Sequence, residues 1–447
     1  SSSVHKLHKF VGITAGLVIL ILGVTGFFIN HDKWSFLYST TFTLVPDSVK
    51  KADNRLFEAY WLNPEDLSHS IVGGKRGIFE SFDNGQSFKK MTDIQCLAIR
   101  TDEEKLYAAT SDGVYSLEEK LWKPYALSGE YITSISIAER IIVAVIQKHE
   151  LVSIEKNTKN IIARDSVTIS SEKLQDSISL SRFVRDLHYG RGLFDGDISL
   201  LLNDYAAIIS SWLVLSGFLI WFYIRKKNKP TISRKLIRLH ANVITILAII
   251  PLLILAITGI FLDHSSGLAK FMRSVTITHT VLPPVYESLK HDIWSVDYDG
   301  EKYRVGNRYG VYSSNDLKTW TQETKGLAYK MVRKDEVLYV SGMGSPNRMY
   351  DGAWKILPKT PHMFRDVIVI NNGVSYFTPA KNFSQKIPKF EEATLYSVLL
   401  TLHDGTFFAQ WWVWVNDYAA VALFILCCTG LIRWYRKKRK YLAIIRK

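Results

Sequence analysis

The chain has 447 residues, 47% of them hydrophobic, and a formal charge of +14. Mean hydropathy is +0.03 and the apolar residues come in blocks, which argues against a wholly soluble protein. The Lys and Arg clusters sit beside those blocks, so they read as membrane topology rather than a nucleic-acid surface, and three cysteines without a Cys-x-x-Cys-His string exclude a disulfide framework and covalently attached haem.

A helix needs roughly 20 apolar residues to cross a bilayer core. Residues 1–31 hold a first span, uncharged from 10 to 29, too long for a cleaved signal peptide and followed by no small-residue cleavage site. Residues 32–187 form a long loop in which strings such as Leu106-Tyr107-Ala108-Ala109 and turns such as Asp112-Gly113 predict short strands. Within it, residues 77–88 resemble an Asp-box hairpin of the sialidase and propeller-repeat type, a structural turn that says nothing about glycosidase activity. A second span occupies residues 188–224, and a basic loop follows at 225–238 with Arg225-Lys226-Lys227, Lys229 and Arg234-Lys235. The third span, residues 239–264, contains Pro251 and should kink there. Residues 265–402 form a second β-rich loop, where residues 310–320 repeat the Asp-box without its glycine. A fourth span at 403–435, interrupted by Asn416-Asp417, leads to a basic tail at 436–447.

The fold class expected is therefore an integral-membrane α-helical protein, with four transmembrane helices in two parallel pseudo-two-fold repeats and β-rich extracytoplasmic domains. The basic segments place both termini in the cytoplasm of a bacterial inner membrane and both long loops in the periplasm. Whether the two loops make one joint domain or two is left open.

The duplication rests on shared strings. Thr25-Gly26 and His31 recur as Thr258-Gly259 and His264; Leu187-His188 recurs as Leu402-His403; Asn203-Asp204-Tyr205-Ala206-Ala207 recurs as Asn416-Asp417-Tyr418-Ala419-Ala420; Ser216-Gly217 recurs as Thr429-Gly430. Three histidine pairs follow that pattern: His8 with His240, His31 with His264, and His188 with His403. His8 and His31 are about 34 Å apart along a helix, so they mark opposite edges of the membrane. Ionisable residues at membrane spans are costly and usually functional, and neutral imidazole is a standard haem ligand. Zinc would call for closely spaced ligands, which the chain lacks. The expected arrangement has His8 and His240 sharing one haem near the cytoplasmic face, with His31, His264, His188 and His403 holding one or two at the external face. Arg185 and Arg191 stand beside His188 as partners for haem propionates or as interfacial anchors. Asp204 and Asp417 would cap helices or relay protons. Small residues such as Gly12, Ala15, Gly16, Gly23 and Gly26 give room for a flat ring or serve helix packing.

Leu7-His8, Gly12, Gly16, Thr25-Gly26, His31, Leu187-His188 and Gly190, echoed by Leu239-His240, Thr258-Gly259, His264, Leu402-His403 and Gly405, resemble the PepSY-associated transmembrane proteins. The chain is most similar there to bis-haem inner-membrane reductases of ferric siderophores. The resemblance covers about a third of the chain, and the second half lacks the early glycines after its first histidine. It implies two b-type haems and outward electron transfer to a ferric siderophore or other ferric complex. No nucleotide-binding string is present, so the donor is expected to be a separate cytoplasmic reductase or a membrane quinol. The rival readings are a metal or siderophore permease and a haemless sensor or assembly protein whose loops bind a partner.

Overall fold

The computed structural model describes residues 2–102, 104–226, 230–371, 373–378 and 385–445. Lys227, Lys229, Arg446 and Lys447, read above as parts of the basic segments, lie outside the described residues. The chain divides into two compact units, one of Ser1–Val49, Ser179–Ile277 and Ala393–Lys447, the other of Lys50–Ile178 and Thr278–Glu392.

The first unit is helical. Its main helices are α1 (Ser2–Ile29), α2 (Leu180–His188), α3 (Ile198–Arg225), α4 (Pro230–His240), α5 (Val243–Leu247), α6 (Ile249–Asp263), α7 (Leu395–Asp404) and α8 (Val413–Ile445). The expected fold class is overturned here. Among the described residues the chain is β-rich, with eight sheets, and three helices are each long and apolar enough to cross a membrane, Ser3–Ile29, Ile198–Arg225 and Gln410–Arg439, with one bent pair the further candidate. The expected third span is a broken pair, Pro230–Leu247 and Ile249–Asp263, bent by 72°. Pro251 has no N–H to give the carbonyl of Leu247, and its ring crowds that carbonyl. The break comes at Ala248, three residues ahead. What remains straight, α6, is 15 residues, about 22 Å and shorter than a bilayer core of about 30 Å.

Two short helices, α2 and α7, lie almost wholly within segments that were expected to belong to the β-rich loops. Ser179 caps α2 by accepting from the Arg182 N–H, and Thr394 caps α7 by accepting from the Ser397 N–H. Both short helices end near their histidines, His188 and His403, before the long helices start. Their entries are tied across the duplication: the Leu180 N–H donates to Val275 O and the Leu395 N–H to Thr40 O, each at 2.8 Å. Helix α2 packs on α6, and α7 packs on α1.

The second unit takes strands from both long loops. Five antiparallel four-stranded sheets begin at Phe57–Leu62, Cys96–Thr101, Ile132–Ala138, Ser295–Tyr298 and Lys330–Lys334, and a sixth pairs Asp366–Ile370 with Gly373–Phe377. The first strand of each sheet packs against the first strand of the next, and the last returns to Phe57–Leu62. That closed ring is a six-bladed β-propeller, three blades from each loop. The two loops therefore form one unit. Apolar side chains fill the space between blades, as where Ala98 and Ala109 meet Ile135, Ile142 and Val152. The inner strands carry paired charge: Glu58 lies 2.9 Å from Arg365 and 3.3 Å from Lys330, and Arg100 lies 3.3 Å from Asp366. Burial alone would raise the Glu58 pKa, but Arg365, Lys330 and Lys75 outweigh it and hold the carboxyl below its ordinary value.

Both Asp-box turns form. Asp83 accepts from the Gln86 and Ser87 N–H groups at 3.0 and 2.9 Å, and from the Ser87 hydroxyl. Asp316 accepts from the Lys318 and Thr319 N–H groups at 2.9 and 2.8 Å. The second turn closes one residue sooner, with donors two and three residues after the aspartate, and Leu317 at φ 62° takes the place of Asn84 at φ 59° while burying its side chain. Hydrogen bonds, first from Ser87 and from Thr319 respectively, hold Asp83 and Asp316 down at about 2. A depressed carboxyl adds stability above its unfolded pKa and loses it as pH falls through the folded one. Circular-dichroism melts are thus expected to lose this contribution from about pH 4 down to about pH 2, and less of it in Asp83→Asn/Asp316→Asn. An identical drop in that variant would show that the turns are not the cause.

Candidate functional site: facing histidine pairs

Four of the six repeated histidines meet in two pairs. His8 on α1 and His240 at the end of α4 have ring centroids 6.4 Å apart at 90°. His188 and His403, at the ends of α2 and α7, have centroids 6.2 Å apart at 57°. The structure thus brings each pair together across the duplication.

Each ring is held by a hydroxyl from the opposite half. The Nδ1 of His8 lies 2.7 Å from Thr429 Oγ1, and that of His240 lies 2.8 Å from Ser216 Oγ. The Nδ1 of His188 lies 2.9 Å from Thr258 Oγ1, and that of His403 lies 2.9 Å from Thr25 Oγ1. All four hydroxyls already donate to the carbonyl four residues back: Thr25 to Ile21, Ser216 to Trp212, Thr258 to Ile254 and Thr429 to Ile425, at 2.6–2.7 Å. A hydroxyl has one proton to give, so each must accept from the ring. Each ring therefore carries a proton on Nδ1, and in its neutral form keeps its lone pair on Nε2.

The glycine that follows each hydroxyl lies against the same ring. A methyl at Gly26 would come within 3.2 Å of His403 Cε1, and at Gly217, Gly259 and Gly430 within 3.6–3.8 Å of the ring it faces. Other small residues do a different job. A methyl at Gly23 would meet Ser210 and Ser211 Oγ at 2.7 and 2.8 Å, so that glycine lets α1 close on α3.

Two imidazoles bound through Nε2 to one metal between them, at about 2.0–2.1 Å each, have centroids roughly 6.3 Å apart. Both observed spacings are compatible with that value, which also falls within the range of about 4.5–7 Å of ordinary ring contacts. Among the described residues no three His, Cys, Asp or Glu side chains are grouped to hold a metal ion. Each pair therefore suits a metal that brings its other ligands with it.

His31 and His264 are placed otherwise. His31 Nε2 lies 3.0 Å from Asp204 Oδ2 and its ring stacks on Trp34 at 4.3 Å. His264 Nε2 lies 2.6 Å from Asp417 Oδ2, with Trp414 at 5.1 Å. The two aspartates, whose roles were left between capping and proton relay, are thus bound to histidine, each with its second oxygen buried and unpartnered.

Residues 5–437 match the PepSY-associated TM region. The chain belongs to that family. No curated protein matches the sequence. Among solved structures it is similar to the extracellular domain of a putative one-component system from B. thetaiotaomicron, at 8% identity and TM-score 0.35, covering 76% of this chain and 32% of that one. It is also similar to an ancestral GH74 enzyme, at 10% identity and TM-score 0.33, covering 72% and 34%. A third is BamB from Moraxella catarrhalis, at 6% identity and TM-score 0.30, covering 72% and 80%. The chain spans about a third of the length of the first two.

In this PepSY-associated chain the first four positions of the repeated Asn-Asp-Tyr-Ala-Ala string each have a task. Asn203 and Asn416 donate to the carbonyls of His188 and His403 at 2.8 and 3.0 Å. Tyr205 donates to Ile244 O, Tyr418 meets Thr14 Oγ1 at 2.5 Å, and Ala206 and Ala419 are fully buried. In the sequence the asparagines stand only as markers of the repeat, and the recurrence of four Ser/Thr-Gly dipeptides beside four histidines is the signal for the ring contacts. Of the two arginines beside His188, Arg191 lies 3.3 Å from Asp186, which also meets Arg182 at 3.0 Å. Arg185 is half-buried one turn before His188 and forms no ion pair among the described residues.

Proposed function

We propose that this membrane protein is a haem-b oxidoreductase of the bacterial inner membrane, which carries electrons outward to reduce ferric iron held in a siderophore or another chelate. The observation that carries this reading is the pair of facing histidine sets at 6.4 and 6.2 Å with the lone pair left on Nε2. A structural zinc site needs four protein ligands, whereas haem supplies four of its own and asks the protein for one or two.

His8 with His240 would hold one haem and His188 with His403 a second. Bound haem supplies one-electron redox chemistry at each pair, while the protein supplies ligation, burial and orientation. Thr429, Ser216, Thr258 and Thr25 fix the ring tautomers, and their glycines keep side chains off the rings. His31 with Asp204 and His264 with Asp417 hold a proton between Nε2 and Oδ2 at the outer end. The basic residues near the His8 and His240 end, including Lys6, Lys9, Arg225, Arg234 and Lys235, support a cytoplasmic position for that pair and a periplasmic one for the propeller. The electron donor is a separate cytoplasmic reductase or a membrane quinol.

The test is an oxidised and dithionite-reduced visible spectrum of the detergent-purified chain, with a pyridine haemochrome assay. A low-spin b-type spectrum with two haems per chain is expected. Colourless protein from haem-replete cells would overturn the reading and turn attention to partners of the propeller.

A further inference from the structure

The residue that precedes each inner strand lies at one mouth of the propeller's central channel. Those residues are Leu56, Gln95, Tyr131, Trp294, Tyr329 and Arg365. Turns between second and third strands return to the same mouth. The Lys75 N–H donates to Leu56 O at 2.9 Å and the Gln147 N–H to Tyr131 O at 3.0 Å, which brings Lys75 and Lys148 there. Rings and cations then meet in a continuous series. Lys75 Nζ donates to the Tyr131 hydroxyl at 2.9 Å, and Lys148 Nζ stands 3.5 Å over the Trp294 ring. Trp294 lies 6.0 Å from Tyr329, whose ring is 5.5 Å from Lys330 Nζ. Glu58 ties Lys330 to Arg365. Tyr131, Lys148, Trp294 and Tyr329 each keep part of their surface exposed.

Two features of this mouth select a ligand. Lys75, Lys148, Lys330 and Arg365 outnumber Glu58, while the adjoining Arg100 and Asp366 pair with each other at 3.3 Å. The mouth is therefore electropositive and draws in an anion. The partly exposed rings of Tyr131, Trp294 and Tyr329 offer faces and edges on which a flat ring packs, and a cation beside such a ring is attracted to its face. A ligand that uses both features is an anion whose charge is carried on aromatic rings. We propose that this mouth binds an anionic ferric chelate of the tris-catecholate class, an assignment that rests on the ferric-reductase reading above. Lys75, Lys148 and Arg365 meet its charge, and Tyr131, Trp294 and Tyr329 meet its rings. A hydroxamate chelate, neutral at the metal and without aromatic rings, answers neither feature.

The experiment titrates the detergent-purified full chain by calorimetry with gallium(III) complexes of a hexadentate tris-catecholamide and a hexadentate tris-hydroxamate. Gallium keeps the charge of ferric iron and is not reduced, so binding is read without electron transfer. Wild-type protein is expected to bind the tris-catecholate complex more tightly than the tris-hydroxamate by on the order of tenfold. Lys75→Gln/Lys148→Gln and, separately, Trp294→Leu are each expected to weaken that binding about tenfold, with circular-dichroism melts checking that each variant is folded. Lys89→Gln/Lys318→Gln removes the same charge from exposed lysines elsewhere on the propeller and is expected to bind as the wild type does. Equal affinity of the wild type for both complexes would overturn the proposal. So would unchanged binding in both mouth variants, or an equal loss in the Lys89/Lys318 variant, which would assign the effect to bulk charge. Protein that holds two haems yet binds neither complex would sink this site and leave the reductase reading standing. Colourless protein with the catecholate preference would do the reverse.

Discussion

Replacing His188 with alanine is expected to remove one of the two proposed haems per chain and to leave the other in place. His188 faces His403 and His8 faces His240, so each pair is a separate centre. His8→Ala should take the complementary haem, and His8→Ala/His188→Ala should be colourless. His31→Ala is expected to keep the full complement, since its ring is engaged with Asp204. The pyridine haemochrome count relative to protein reads all four variants. A haem lost in His31→Ala but not in His188→Ala would reassign the outer ligand. Thr258→Val probes the same centre more gently. It keeps the ring but deprives Nδ1–H of its acceptor, and the loss of such a supporting partner typically weakens metal binding by about 10- to 100-fold. Haem retention on dilution would show that loss.

Separating the halves should have an equally large effect. Expressed alone, residues 1–226 retain His8 and His188 but lose Thr429-Gly430 and Thr258-Gly259, the groups that hold those rings. The second half likewise loses Ser216-Gly217 and Thr25-Gly26. Neither fragment is expected to bind haem, while co-expression of residues 1–226 with 230–447 should restore it. The propeller imposes the same demand, because each loop supplies three of the six blades. A b-type spectrum from the first fragment alone would show that the cross-half contacts are dispensable.

The sequence carried the duplication and all six repeated histidines, because those are properties of one-dimensional order. It did not carry the hydroxyl on which each ring rests. His8 finds Thr429 across 421 residues and His403 finds Thr25 across 378, and no local period reports such contacts. The Pro251 kink was legible in the missing N–H, but its size was not. Hydropathy averages over the window and is blind to a 72° turn. That turn is why an apolar stretch expected to be a full span is a bent pair. The first Asp-box turn was legible from its glycine, whereas the second closes one residue sooner without one. Both loops read as β-rich, yet only the closing contact between Asp366–Ile370 and Phe57–Leu62 makes them one ring.

Every ring in the two facing pairs rests on the opposite half, so a single unfused half could make those contacts only as a two-fold homodimer. In such a dimer each substitution lands twice, and both partners of a pair change together. A tandem chain removes that constraint. His240 rests on Ser216 where His8 rests on Thr429, Pro251 bends one entry and leaves the other straight, and Arg182 occupies the place that Ser397 takes in the second half. Gene fusion thus lets selection act on one side of each pair at a time, giving a device with symmetric ancestry two facing histidines whose surroundings differ.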